Sequence, residues 1–118
     1  MNLSYPLFLV FIAASSAFGS VINDISDQAL DFRSVKPRNP LAYESTTCLT
    51  AKIVCVTLLL ISLACMALLP PSLLFVEFVV LFIFITYSFW IEVKNVAALD
   101  LIYHALSPAL NGILGYVL

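Results

Sequence analysis

Residues 53–91 read IVCVTLLLISLACMALLPPSLLFVEFVVLFIFITYSFWI and contain a single charged side chain, Glu77. The stretch divides into two apolar runs, 53–69 and 72–91. As α-helices these runs are about 26 and 30 Å long, which matches the roughly 30 Å hydrocarbon core of a bilayer. The sequence therefore predicts an all-α membrane protein with two transmembrane helices in this stretch.

Pro70 and Pro71 separate the two runs and predict a sharp break in the helix. Proline has no N–H to donate and disfavours the α conformation of the residue before it, so a helix does not continue through the pair. One unbroken helix over both runs would be about twice as long as the bilayer is thick. We expect the chain to turn back here and form a helical hairpin.

The composition of the 118-residue chain also favours lipid as its surroundings. Hydrophobic residues make up 63% of the chain and charged residues 10%, whereas soluble domains have about 45–50% and about 25%. A chain this short leaves much of its surface exposed, and a water-soluble core cannot absorb the excess. The expected partners are the lipid bilayer and other membrane helices. The net charge of −2 provides no basic field for nucleic acid, so we exclude nucleic-acid binding.

The N-terminal segment has two interpretations. Residues 3–14, LSYPLFLVFIAA, are apolar and are followed by small residues up to Gly19, a pattern typical of a secretory signal peptide, here residues 1–19. We favour this interpretation, and with it an integral protein of the endoplasmic reticulum or plasma membrane that enters by the secretory pathway. The alternative is an uncleaved signal anchor that extends to about Ile22. The five Lys and Arg residues support the alternative. Four precede the predicted hairpin and one follows it, so all five lie on the same side of the membrane. The positive-inside rule favours the cytoplasm for that side, whereas cleavage would place it outside.

Residues 20–52 are predicted to form a polar, mostly flexible segment outside the membrane. Acids, bases and small polar groups alternate over 20–47, and Pro37 and Pro40 interrupt regular structure. A short helix from about Asn23 is the alternative for its first part, since apolar residues recur there at helical spacing.

The first predicted membrane helix has a face of small side chains. Cys48, Cys55 and Ser62 recur every seven residues along it, whereas the second helix carries bulky aromatic residues. Because packing drives helix association in lipid, and small residues permit close approach, we expect this small face to receive the second helix. The three cysteines lack the spacing of a metal site.

Glu77 is an acid inside the second predicted span, about 8 Å from the turn. A central acid costs about 3 kcal/mol on insertion scales, and the apolar residues around it return more than that. Two interpretations stay open. The carboxylate lies near the headgroups beside the turn, or it is an ion site, a proton site or a docking point for a basic partner.

Residues 95–118 are predicted to form an amphipathic helix or a third transmembrane helix. At 100° per residue, four polar residues fall within about 60° of arc. We call them the polar stripe: Asp100, His104, Ser107 and Asn111. Insertion of this segment alone is close to balanced in free energy. We therefore expect the stripe to face a helix partner, a pore or the membrane interface.

The sequence carries no recognisable catalytic motif. It has one His, no phosphate-binding loop and no HExxH, so we expect neither enzymatic activity nor a cofactor. One His with one acid provides too few ligands for a zinc site. The favoured function is a small structural or accessory membrane protein that associates with itself or with other membrane proteins by helix packing. The alternative is an oligomeric ion or proton channel lined by the polar stripe.

Overall fold

The computed structural model describes residues 4–31, 39–41, 46–89 and 96–117. Within these ranges the chain forms four α-helices and no strand, which confirms the all-α prediction for this part of the chain. A 3-10 turn over Pro71–Leu73 lies between the second and third helices. The helices are α1 (Ser4–Asp31), α2 (Cys48–Leu68), α3 (Leu74–Phe89) and α4 (Ala97–Val117).

Helix α1 passes through Gly19 without a break and ends at Asp31. Serine hydroxyls inside it donate to carbonyl oxygens of the preceding turn, as Ser15 does to Ile12 at 3.2 Å. This bonding satisfies small polar side chains within an apolar helix. The first part of the segment predicted to be mostly flexible is thus helical here, while 32–38 and 42–45 lie outside the described residues.

A short segment after α1 is tied back to the last turns of that helix. The side-chain amide of Asn39 donates to the carbonyl oxygen of Asp24 at 2.6 Å, and its oxygen accepts from the N–H of Leu41 at 2.9 Å. Gln28 donates to the carbonyl oxygen of Leu41 at 3.2 Å. These bonds return the chain to the side of α1, along which α2 then packs.

Local signals set both ends of α2. Thr47 has an extended backbone, and its hydroxyl accepts from the N–H of Thr50 at 3.1 Å, which caps the start of the helix. At the other end Leu69 is extended, with a ψ of 161°. A residue that precedes proline is driven into this region. The helix therefore breaks at Pro70 and Pro71, where the sequence predicted a break.

Helix α1 contacts all three other helices and supplies much of the core. Its Phe8, Phe11 and Phe18 are each at most 3% exposed and share one apolar cluster with Cys55 and Cys65 of α2. Helices α2 and α3 share few contacts with each other, and each packs mainly on α1. The expectation that the small face of α2 receives α3 is therefore wrong. The long helix α1 occupies that face instead.

The outer surface of the bundle is apolar, and several polar side chains lie inside. Ser62, Glu77 and Ser88 are at most 1% exposed, whereas Phe75 is 76% exposed. Water-soluble monomers rarely expose apolar patches of such extent. Large apolar side chains are exposed along every helix, among them Leu9, Leu49, Ile53, Leu60, Leu68, Phe78, Phe82, Phe89, Leu101 and Ile113.

Two helices are long and apolar enough to cross a membrane, as judged by length and composition. They are the part of α1 over Ser4–Gln28 and the whole of α2. Helix α3 is apolar but has 16 residues, about 24 Å. Within the described residues, the pair that meets this criterion is thus α1 and α2. Residues 90 and 91, the end of the predicted second span, lie outside the described residues.

Candidate functional site

The polar stripe of α4 begins in a contact with the end of α3. The hydroxyl of Tyr87 donates a hydrogen bond of 2.5 Å to Oδ1 of Asp100. His104, one turn later, places its Nδ1 3.0 Å from the backbone oxygen of Asp100 and 3.4 Å from its Oδ1. The carboxylate thus has polar neighbours on two helices, which lowers the free-energy cost of holding it on an apolar helix.

Tyr87 also lies at the centre of a small aromatic cluster between α3 and α4. Its ring centroid is 5.6 Å from that of Tyr103, and it meets the His104 ring edge-on at 5.3 Å. Tilted and edge-on pairs of this kind contribute about 0.5–1.5 kcal/mol beyond their buried area. The cluster and the hydrogen bond together fix the start of α4 against the end of α3.

Beside this cluster, a cavity of about 580 Å³ lies between α1, α3 and α4. It reaches from Ile12 to Asn23 along α1, about 16 Å by helical rise. Small-molecule sites usually have volumes of about 300–1,000 Å³. Polar side chains line two of its walls: Ser16, Ser20 and Asn23 from α1, and Tyr103, His104 and Asn111 from α4.

The third wall of the cavity comes from α3 and is mostly apolar. Ile83 and Phe84 lie along it, and Tyr87 closes it at the end near Asp100. The cavity therefore has hydrogen-bonding groups on its α1 and α4 walls and apolar groups on its α3 wall. Such a mixture suits a molecule that has both a polar and an apolar part.

Asn111 brings an unsatisfied polar atom to this site. Its Oδ1 is buried and has no hydrogen-bond partner among the described residues. An acceptor left in this state costs about 1–3 kcal/mol. The structure thus brings Asp100, His104 and Asn111 together on the side of α4 that faces α3 and the cavity. Ser107 lies in the same helix, and its side chain is outside what the structure describes.

Gly19 allows α1 and α3 to approach closely at the edge of the cavity. A Cβ atom built on Gly19 would lie 2.5 Å from Cδ1 and 2.8 Å from Cγ of Phe84. Both atoms belong to the rigid phenyl ring of Phe84, so a side chain at position 19 would displace that ring. A glycine at a helix contact, because it has no side chain, permits this close approach.

Glu77 lies in α3 but does not line the cavity. Its side chain is 0% exposed, and neither carboxylate oxygen has a hydrogen-bond partner among the described residues. Cys65 of α2 is within electrostatic reach of it. The carboxyl group is therefore enclosed by the bundle and does not face the outer surface.

The remaining predicted site residues lie on α2 and in the turn before α3, away from the cavity. Cys55 and Ser62 are buried on α2, and Cys48 is half-buried at its first position. The hydroxyl of Ser62 donates to the carbonyl oxygen of Leu58 at 2.9 Å. Pro70 and Pro71 stand in the turn that leads into α3.

The chemistry within reach of this site is hydrogen bonding and exchange of a proton at one imidazole. Over the ranges that the structure covers, no three His, Cys, Asp or Glu side chains come together in a way that could hold a metal ion. When Nδ1 of His104 carries the proton, it donates to the backbone oxygen of Asp100 and leaves Nε2 as an acceptor. The site is thus suited to binding.

Comparison with known proteins gives no guide to function. No protein-family model matches the chain, and neither a curated protein nor a solved structure matches it. The function has to be argued from the geometry of the molecule.

Sequence reasoning missed half of this site. Ser16, Ser20 and Asn23 were seen only as part of an N-terminal signal and a polar segment. They recur at i, i+4 and i+7, which is the spacing of one helix face. That spacing, extended across the boundary at Gly19, was the available signal for a polar wall on α1.

Proposed function

We propose that this chain is a small integral membrane protein with a structural or accessory role, which associates with itself or with other membrane proteins by helix packing. The observation that carries the proposal is the arrangement of polar and apolar side chains. Glu77, Ser62 and Ser15 are fully buried, while large apolar side chains cover the outside of all four described helices. Lipid or another apolar helix is the surrounding that such a surface requires.

The outer face of α3 is the best candidate surface for association. Phe75, Phe78, Phe82 and Phe89 are each more than half exposed and recur along one side of the helix. Aromatic side chains provide large contact areas with few rotatable bonds, and they dominate many interfaces. Insertion at the endoplasmic reticulum, by way of the apolar α1, is the route we propose for the chain.

Carbonate extraction and flotation test the membrane part of this proposal. The expressed chain should stay with vesicles at alkaline pH and float with them in a density gradient. Release into the supernatant as a compact monomer would overturn the proposal. Brominated lipids provide a site-resolved readout, because they quench only tryptophans that contact lipid. In a Trp90→Phe background, fluorescence of the Ile53→Trp variant, at an exposed position of α2, should be quenched, and that of Phe11→Trp, at a buried position, should not.

Mass determination in nanodiscs or mild detergent tests the association part. Replacement of Phe78 and Phe82 by leucine should reduce the oligomeric fraction if α3 is the contact face. Replacement of the exposed Ile53 and Leu60 of α2 by valine is the matched control. A chain that is monomeric in the bilayer and recovers no partner after gentle extraction would contradict an assembly role.

A channel is the second candidate, and the polar cavity is the observation that favours it. His104 and Asn111 line a cavity inside one chain, and Asp100 is bonded to Tyr87 of the same chain. A conduit would therefore pass through a single bundle, whereas the sequence suggested a pore between copies. Proton flux into liposomes tests this candidate. Flux that is lost in His104→Ala and Asn111→Leu would favour the channel, and silence of the intact protein would favour assembly.

A further inference from the structure

We propose that the cavity between α1, α3 and α4 binds one uncharged, hydroxyl-bearing glycerolipid, such as a monoacylglycerol, taken up from the bilayer. The inference rests on the proposed membrane location and adds a ligand to it. It is carried by the size of the cavity, by the charge of its walls and by the place where it opens.

The size of the cavity fits a single small amphiphile. Its volume of about 580 Å³ would otherwise hold on the order of twenty waters, at about 30 Å³ each in the liquid. Apolar Ile83 and Phe84 form one side of that space, and ordered water needs polar partners around it. A molecule with an apolar chain against α3 fills the space better.

The walls select against a charged ligand. None of the residues that line the cavity is Asp, Glu, Lys or Arg. The carboxylate of Asp100, beside the cavity, already accepts a hydrogen bond from Tyr87. A phosphate or ammonium group would meet no carboxylate, lysine or arginine among the lining residues, and burial of a charge without a paired charge costs free energy. Hydroxyl and ester groups need only the uncharged partners that are present.

Hydrogen-bonding groups face each other across the cavity from α1 and α4. Ser16 and Ser20 stand on one wall, and His104 and Asn111 on the other. A glycerol ester has both hydroxyl donors and carbonyl acceptors within a few ångströms, so it can bond to both walls at once. The buried, unpartnered Oδ1 of Asn111 is the acceptor that a ligand hydroxyl would satisfy after a small rotation of the amide.

The cavity opens sideways between α1 and α4. Ser16 and Ser20 on α1, and His104 and Pro108 on α4, line it and are also exposed. Leu101, three residues before His104 on α4, is 69% exposed. In a bilayer the mouth faces lipid, and a monoacylglycerol can enter laterally without crossing water.

The test uses the full chain in nanodiscs with a photoreactive monoacylglycerol that carries a diazirine in its chain and a terminal alkyne. After irradiation, labelled peptides are identified by mass spectrometry. Labels should lie on the residues of α1, α3 and α4 that line the cavity, and they should be displaced by excess monoacylglycerol but not by phosphatidic acid. Labels confined to the outer faces of α2 and α3 would overturn the proposal, as would displacement by a sterol without displacement by monoacylglycerol.

Two variants and a control make the result specific. Ser20→Phe fills the cavity and should abolish the labelling of its lining residues, while Ala64→Phe, on an exposed position of α2, should leave that labelling unchanged. Asn111→Leu keeps the side-chain volume and should weaken competition by about tenfold, which corresponds to roughly 1.4 kcal/mol. Equal photolabelling of the cavity residues in all three variants would contradict the proposal. Carbonate extraction of the same samples separates the two inferences, since a chain that is not integrated refutes the membrane function itself.

Discussion

Tyr87 in α3 donates a hydrogen bond of 2.5 Å to Asp100 in α4, and this bond joins two helices that are separated by residues 90–96. An acid on an apolar helix is costly unless it is paired or hydrated. Here the tyrosine hydroxyl and the His104 ring surround the carboxylate. The bond therefore explains how α4 can carry an acid and still pack on the bundle.

Removal of the Tyr87 hydroxyl should loosen α4. The Tyr87→Phe variant keeps the ring, so it should lose about 1 kcal/mol of unfolding free energy, the scale of an interhelical hydrogen bond in a membrane protein. Titration with SDS, followed by circular dichroism of the detergent-solubilised protein, measures this loss. Tyr116, which is 92% exposed, provides the control, and Tyr116→Phe should change nothing.

A double-mutant cycle assigns the effect to the pair. Tyr87→Phe combined with Asp100→Ala should be less destabilised than the sum of the single variants, with a coupling energy of about 1 kcal/mol. Strict additivity would show that the two groups do not interact in solution.

Gly19 and Gly112 should respond in opposite ways to an added methyl group. At Gly19 the new Cβ would lie 2.5 Å from the ring of Phe84, whereas at Gly112 nothing lies within 4 Å. Gly19→Ala should therefore destabilise the bundle by about 1–3 kcal/mol through overpacking. Gly112→Ala should be neutral or should stabilise α4 by up to about 1 kcal/mol, because alanine is the better helix former. Equal effects in thermal melts of the purified variants would contradict the close approach of α1 and α3.

The ends of the helices were easier to predict from the sequence than the helices that pack against each other. Helix ends depend on local chemistry, so the proline pair at Pro70 and Pro71 predicted where α2 ends. The neighbour of a helix face depends on the whole bundle. The small face includes Cys55 and Ser62, both of which are buried, but its pattern did not indicate that α1 would lie against it. Gly19, the last of the small residues that suggested a cleavage site, is also the residue that permits the close approach of α1 to Phe84 of α3.

The polar stripe was predictable as a pattern, and its surroundings were not. Helical spacing placed Asp100, His104 and Asn111 on one side of α4. No rule of spacing connects them to Tyr87, which lies on a different helix and was one aromatic residue among many. The cavity was not predictable for the same reason. Its walls come from three helices, and the sequence does not determine how those helices are arranged.

Glu77 should be a site where stability rises on mutation. Both of its carboxylate oxygens are buried without a hydrogen-bond partner among the described residues, and such groups cost about 1–3 kcal/mol. Glu77→Leu should therefore stabilise the bundle by about that amount in the SDS titration. Glu77→Gln keeps two polar atoms in the same place and should gain less. A loss of stability in Glu77→Leu would mean that the carboxyl group has a partner, and it would favour the ion or proton interpretation of this residue.

The N-terminal helix should remain on the mature protein. Cleavage after Gly19 would remove Phe8, Phe11 and Phe18, each at most 3% exposed in the core. These are three of the four buried α1 residues of the apolar cluster, so cleavage would leave Ile22, and packing is what holds helices together in lipid. Intact-mass measurement of the protein from membranes should therefore include residues 4–19. A mature chain that begins at Ser20 would show that the bundle forms without those side chains, and α2 would then need another partner for its small face.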